Sequence, residues 1–209
     1  MSFPNMIVYL SLFILQILPL ISSDTSQCTL TGFQSKDPYP SLITCYKYNN
    51  EACCLSVHDD YIKDQLSSML TDSCLGKYNE LEDLMCLGCH PFEMEYISTN
   101  EKGETVLTIC KDFVKRLWDV SSDEDLNKST SKYDNCGFKS EYFNPDEGSP
   151  FIIPSKYFTS VYHFLDNFTI PFYEHVKIEI SDDNNNCYNY QTYLKINFFI
   201  LLTMVIIIY

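Results

Sequence analysis

Apolar residues recur at helical spacing between residues 56 and 74. Four of them share one face of a 3.6-residue period: Ile62, Leu66, Met69 and Leu70. Ser56 and Asp59 stand where an N-cap residue and its acidic partner belong. The pattern therefore predicts an amphipathic helix that begins near Ser56 and runs towards Cys74.

A second helical pattern covers Thr105 to Val120. Its apolar face consists of five residues: Val106, Cys110, Phe113, Val114 and Leu117. Between the two patterns, Leu81, Leu84 and Met85 predict a short helix that leads into a cysteine. The polar stretch 121–135 has no apolar period and predicts a loop or linker.

The rest of the chain is aromatic-rich and interrupted by prolines. Tyr157 to Phe168 is predicted to form a helix, and Val176 to Ile180 a strand. The expected architecture is a small, mostly α domain with little β content, held together by disulfides.

Both ends of the chain are apolar. Residues 7–21 precede Ser22, Ser23 and Asp24, a pattern typical of a secretory signal peptide spanning residues 1–23. Cleavage is expected after Ser22 or Ser23.

Residues 198–209 are nearly all apolar. As a helix they would reach about 18 Å, short of the roughly 30 Å hydrocarbon core of a bilayer. A polar spacer and small residues precede them, which is the arrangement of a GPI-attachment signal. Attachment is predicted at Asn185, which leaves an extracellular domain over 24–185 and removes 186–209. The alternative is a membrane span that starts near Tyr193.

The charge is strongly acidic: 28 acidic residues against 14 basic ones give a formal net charge of −14, and Arg116 is the only arginine. Nucleic-acid binding requires clustered basic residues, so that class of function is excluded. Adsorption to anionic lipid is disfavoured for the same reason. A solvated acidic surface is expected.

Ten cysteines follow the signal peptide, at positions 28, 45, 53, 54, 74, 86, 89, 110, 136 and 187. In a secreted chain this number indicates a disulfide framework. Glycosylation is predicted at the sequons of Asn127 and Asn167.

One motif is a candidate cofactor site, because Cys86-Leu-Gly-Cys89-His90 matches the attachment motif of c-type haem. A redox dithiol and a zinc site that includes His58 are further alternatives. In an oxidising compartment crowded with cysteines, half-cystines are the favoured interpretation. No phosphate-binding loop and no hydrolase or kinase motif is present. We therefore expect no cofactor, no metal and no catalysis.

The cysteine spacing resembles that of the folate receptor and riboflavin-binding protein family. Cys45 is followed after seven residues by Cys53-Cys54, then by Cys74, by the 86–91 segment CLGCHP, and by Ile109-Cys110-Lys111-Asp112 up to Trp118. The resemblance covers about residues 28–136. The sequence departs from the family at three points. Its close cysteine pair is spaced C-x-x-C, where the family has C-x-x-x-C. Val114 stands at a position where the family has a cysteine, and the chain has a single tryptophan.

The resemblance implies the pairings Cys28–Cys53, Cys45–Cys86, Cys54–Cys89 and, less directly, Cys110–Cys136. If the chain is processed at Asn185, Cys74 is expected to be left as a free thiol. Members of the family stack a flat heterocycle between aromatic rings and bind it through an acidic side chain. The resemblance therefore implies a ligand-binding role for Tyr61, Asp64 and Trp118.

Two functions follow from the resemblance. One is capture of a small vitamin-like ligand of the folate, pterin or riboflavin class. The other is a surface adhesion or protein-contact role in which the pocket is lost, and the scarcity of tryptophan favours this alternative.

Overall fold

A computed structural model describes residues 27–135, 137–146, 148–183 and 186–189. Its α-helices are α1 Ser56–Met69, α2 Asn79–Met85, α3 Lys111–Trp118, α4 Ser140–Phe143, α5 Pro154–Tyr157 and α6 Val161–Asn167. Its strands are β1 Ile97–Thr99, β2 Thr105–Cys110, β3 Phe138–Lys139, β4 Phe151–Ile152 and β5 Lys177–Ser181. Short 3₁₀ turns lie at Tyr46–Tyr48, Leu87–Cys89, Glu93–Glu95 and Glu124–Asn127.

Helix α1 begins at Ser56, and the predicted capping arrangement is wrong. Leu55 is the N-cap residue, and its backbone N–H donates to Nδ1 of His58 at 3.1 Å. The Asp59 side chain is buried and bonds to a preceding loop instead. The helix ends at Met69 because Leu70 turns into extended backbone and pairs with Phe138.

The predicted helix over 105–120 is wrong in its first half. Residues 105–110 form strand β2, and only Lys111–Trp118 is helical. Four of the six strand residues are β-branched, and such residues favour extended backbone. Strand β2 is central: β1 pairs with it antiparallel, and β5 pairs with it parallel, with Ile109 opposite Ile180.

The remaining elements follow the sequence pattern more closely. Helix α2 forms where the short helix was predicted, and β5 starts one residue later than the predicted strand. The helix predicted over Tyr157–Phe168 is shorter, because Phe158 is extended and Ser160 caps a new start. The Ser160 hydroxyl accepts the backbone N–H of His163 at 3.1 Å.

The polar stretch 121–135 is part of the core and not a linker. Leu126 and Tyr133 within it are buried, and the Tyr133 hydroxyl donates to the backbone carbonyl of Leu117. The core it joins is aromatic, and its fully buried rings include Trp118, Tyr133, Phe138, Phe158 and Phe164.

Four disulfides join pairs of described cysteines: Cys28–Cys53, Cys45–Cys86, Cys54–Cys89 and Cys110–Cys187. The first three are the pairings that the resemblance implied. The Cys110–Cys136 pairing is wrong, because Cys110 is bonded to Cys187. Cys74 is also disulfide-bonded, so the chain that includes Cys187 has no free thiol at that position.

The sheet explains why Cys110 pairs with Cys187. Strand β5 ends with Ser181 opposite Cys110, and the chain then returns so that Tyr188 bridges to Ile109. Cys187 is thereby carried to the end of β2. The result is a disulfide-rich, mostly α small domain.

Among the described residues, no helix has both the length and the hydropathy needed to cross a bilayer. The predicted signal peptide and the apolar segment 198–209 lie outside the described ranges.

Candidate functional site

The three residues mapped as ligand-binding do not line a common cleft. Tyr61 and Asp64 are exposed neighbours one helical turn apart on α1. Trp118 is fully buried at the end of α3, where its indole N–H donates to the Lys128 carbonyl at 2.8 Å. Its ring packs 5.5 Å from that of Phe164. The apolar face of α3 points Trp118 into the core, so it is not available for stacking on a ligand.

Phe172 lies against the face of α1 that carries Tyr61. Its ring centroid is 5.1 Å from that of Tyr61 and 5.4 Å from that of His58. Its backbone has φ +71°, which is unfavourable for a residue with a bulky side chain. We call residues 170–176 the strap, because this segment crosses from α6 to β5 and carries Phe172 over α1.

The next residue of the strap, Tyr173, fastens it to a buried carboxylate. The Tyr173 hydroxyl donates to Oε2 of Glu93 at 2.7 Å. The backbone N–H of Thr29 donates to Oε1 of Glu93 at 2.6 Å, and the Thr29 hydroxyl donates to the same oxygen. The chain near residue 29, the turn at 93–95 and the strap therefore meet at one acid.

Burial controls the ionisation of this group. Desolvation raises the pKa of the Glu93 carboxyl, and the hydrogen bonds from Thr29 and Tyr173 lower it by less. Burial also raises the pKa of the Tyr173 hydroxyl, and the adjacent Glu93 charge adds to that effect.

Gly88 shows how closely the strap packs. A Cβ at this position would lie 3.0 Å from Cδ1 of Leu30, 3.4 Å from the Phe172 ring and 3.6 Å from the Tyr173 ring. The C-x-x-C segment therefore has a glycine where two other segments close over it.

Five of the hollows on the described surface have volumes of about 10 to 730 Å³, and none of these five is lined by Tyr61, Asp64 or Trp118. The hollow beside the strap has about 390 Å³ and is lined by Thr105 and residues 172–176.

The C-x-x-C-H motif is fully engaged in packing. Cys86 and Cys89 form disulfides with different partners, so they do not form a dithiol pair. His90 is buried, and four aromatic rings contact it edge-on: Tyr48, Phe92, Tyr96 and Tyr188. This burial lowers the pKa of His90 to about 3, so its imidazole is neutral. The half-cystine interpretation of the motif agrees with these contacts.

Both predicted glycosylation sites are exposed. Asn127 ends the 3₁₀ turn Glu124–Asn127, and Asn167 ends α6. That turn packs against α6, so both asparagines lie on adjoining elements. The side-chain amide of Asn167 donates to the His163 carbonyl at 2.8 Å and would have to turn away to carry a glycan.

The described segment after Asn185 belongs to the domain. Cys187 is disulfide-bonded, and the Tyr188 side chain is fully buried with its hydroxyl donating to the Asp83 carbonyl at 2.8 Å. Asn185 itself lies outside the described residues. A domain that ended there would lose a disulfide and a core side chain, and these contacts favour a boundary at Asn189 or later.

The sequence-based site did not include Thr29, Glu93, Phe172 and Tyr173. No local pattern in the sequence joins Glu93 to a tyrosine 80 residues away. The prolines around the strap predict an interrupted chain and do not indicate which surface that chain covers.

No family model, curated protein or solved structure matches this chain. The geometry itself defines the class of protein: a disulfide-stapled, mostly α domain with an aromatic interior and a strap that packs over its first long helix.

Proposed function

We propose that this protein is a non-catalytic cell-surface module of the folate-receptor-like type that acts by contact with another protein. In this proposal the small-molecule cleft of the family has been replaced by packed aromatic side chains. The observation that carries the proposal is the position of Phe172 against Tyr61, together with the burial of Trp118.

A pocket for a flat heterocycle needs aromatic faces that solvent can reach and a polar group aimed between them. Here the accessible face of Tyr61 is contacted by Phe172, and the only tryptophan is in the core. The buried carboxylate nearest the strap, Glu93, already accepts hydrogen bonds from Thr29 and Tyr173. Tyr61, Trp118 and Glu93 are thus each engaged by the protein's own groups, and the remaining candidate, Asp64, is exposed on α1.

The cellular setting belongs to the same proposal. Three bridges that match the implied family pairing, a fourth to Cys187 and two exposed sequons favour an oxidising, extracellular location. Attachment to the membrane would follow Asn189, with the apolar segment 198–209 as the removed GPI signal.

Equilibrium dialysis of the full-length protein against folate, pterin and riboflavin tests the proposal. We expect no saturable binding at micromolar ligand. Saturable binding that is lost in Asp64→Ala and kept in the matched surface variant Asp72→Ala would overturn it in favour of ligand capture at α1.

A further inference from the structure

The segment 37–46, which we call the tyrosine loop, places large apolar side chains in solvent. Tyr39 is 96% exposed, Ile43 72% and Tyr46 59%. Three other residues of the loop, Pro38, Leu42 and Cys45, are buried.

Buried polar groups hold this loop in one conformation. The Asp59 carboxylate accepts backbone N–H bonds from Ile43, Thr44 and Cys45 at 2.6, 3.0 and 2.7 Å. The side-chain amide of Asn49 forms two hydrogen bonds with the backbone of Leu42. It accepts the Leu42 N–H at 2.7 Å and donates to the Leu42 carbonyl at 3.0 Å. The Cys45–Cys86 bridge fixes the end of the loop. A loop held in this way loses little conformational entropy on binding.

The Asp59 contacts also hold the loop against the first turn of α1. We call the three side chains Tyr39, Ile43 and Tyr46 the loop patch. Single exposed apolar residues are ordinary, but three large ones within eight residues of a loop held by hydrogen bonds mark an interaction surface.

The loop patch offers no small-ligand cavity at Tyr46. The hollow beside Tyr46 has a volume of about 10 Å³, which is room for no more than a single water. The patch projects from a loop, so it fits a depression on a partner.

Charge decides the kind of partner. Asp37 and Asp60 are exposed beside the patch, and Lys47 is paired with Asp83 at 2.6 Å. Two exposed lysines, Lys36 and Lys63, lie close to these acids in sequence. The whole chain is acidic, with a net charge of −14. A second copy of the chain and an anionic lipid surface would both be repelled, whereas a basic rim would be attracted.

We infer that the loop patch is the docking surface for a second extracellular protein, one that offers an apolar depression surrounded by lysine or arginine side chains. This inference rests on the proposed contact function and assigns it a place. The two sequons lie on the 124–127 turn and α6, elements that contribute nothing to the patch. Glycans at these sites would therefore be carried by elements outside the docking surface.

Photo-crosslinking of the full-length protein on its own cells tests the inference. Benzoylphenylalanine replaces Ser41, which is exposed between Tyr39 and Ile43, and in a parallel protein it replaces exposed Asp166 on α6. We expect a protein adduct from position 41 and none from position 166, with the crosslinked peptide lying in a lysine- or arginine-rich surface. The purified partner should bind wild type with an affinity that falls as salt is added.

Substitution within the patch then separates docking from chance proximity. Ile43→Asp should weaken binding of that purified partner by about tenfold or more, and Tyr162→Asp, equally a change at an exposed apolar residue, should leave it unchanged. An adduct to lipid or to a second copy, or equal loss from both variants, would overturn the inference. A protein adduct from position 166 alone would overturn it and leave the contact function standing. Protein adducts from neither position would count against both proposals.

Discussion

The hydroxyl of Tyr173 donates a 2.7 Å hydrogen bond to the carboxylate of Glu93, a residue 80 positions earlier in the chain. This bond fastens the strap to the turn that follows the C-x-x-C segment. Glu93 is fully buried, so any loss of its donors leaves a desolvated carboxylate with too few hydrogen bonds.

Removing the Tyr173 hydroxyl should destabilise the domain. We expect Tyr173→Phe to lower the free energy of unfolding by about 1–3 kcal/mol, the usual cost of a buried acceptor left without its donor. Urea denaturation followed by circular dichroism measures it. The control is Tyr162→Phe, at an exposed position of α6, and it should change stability by less than about 0.5 kcal/mol. Equal stability of the two variants would show that the strap is not held by this bond.

The Glu93 carboxyl should give the unfolding free energy a distinct pH slope. Its pKa is raised in the folded state, so the folded protein holds the proton more tightly than the unfolded chain does. Its contribution to stability is therefore complete below the unfolded pKa of about 4.3 and is lost as pH rises through the folded value. Glu93→Gln should remove this loss, which is read from the difference between the two pH–stability curves. Parallel curves would contradict the assignment.

His90 should make the unfolding free energy depend on pH with the opposite sign. Burial lowers its pKa from 6.5 to about 3, so the unfolded chain takes up a proton that the folded protein excludes. Stability should fall by about 1.4 kcal/mol for each pH unit between roughly 6.5 and 3. Replacing His90 with Phe should flatten this acid limb, although the Phe92 N–H loses its Nδ1 acceptor. The exposed control His175→Phe should keep the limb, and an unchanged limb in His90→Phe would refute the prediction.

The Cys110–Cys187 bridge should be required for secretion. It closes a loop with a sequence separation of 77, which corresponds to about 4 kcal/mol on the loop-entropy model. We expect Cys187→Ser, or a chain ended after Asn185, to be retained in the cell, while a chain ended after Asn189 is secreted. Efficient secretion of the shorter chain would restore Asn185 as a possible boundary.

The mode of membrane attachment can be tested on the intact protein. Phosphatidylinositol-specific phospholipase C should release it from cells, with a C-terminal peptide that includes Cys187 and Tyr188 in the released form. Retention on the membrane, with peptides from 198–209 detected by mass spectrometry, would instead support a span that starts near Tyr193.

Both sequons should carry glycans, with Asn127 the more fully occupied. Asn127 is exposed on a turn, whereas the Asn167 amide must first give up its bond to the His163 carbonyl. Asn127→Gln and Asn167→Gln should each increase mobility on a gel, with the larger share of chains shifted by the first. Unchanged mobility of wild type after enzymatic deglycosylation would contradict both.

The sequence predicted local features where the local pattern was unambiguous. Helix α2 formed where Leu81, Leu84 and Met85 predicted it, because their helical spacing gives one apolar face and that face is buried in the core. Residues 105–110 were misassigned because Val106 and Cys110 fit a helical face equally well. Pairing with β5, about 70 residues later, decides in favour of a strand, and no local window contains that information.

The site was harder to predict than the fold for a related reason. Tyr61 and Asp64 lie exposed on α1, the helix that the apolar spacing predicted. The resemblance could not indicate that Phe172 would cover Tyr61, or that Trp118 would face the core, since both depend on contacts between segments far apart in sequence. Asp59 is a further case: it looked like a capping acid and instead supports the tyrosine loop.

The parallel pairing of β2 with β5 also bears on how the chain is made. Three bridges join cysteines only 25 to 41 residues apart, so along the proposed secretory route they can close before synthesis of the chain is complete. Strand β2 must wait for residues 177–181, and Cys110 for a partner 77 positions later. During that interval the nascent domain exposes an unpaired strand edge and a reactive thiol. Its biosynthesis would therefore depend on chaperones and disulfide isomerases chiefly in the last stage, after the N-terminal half has already been stapled.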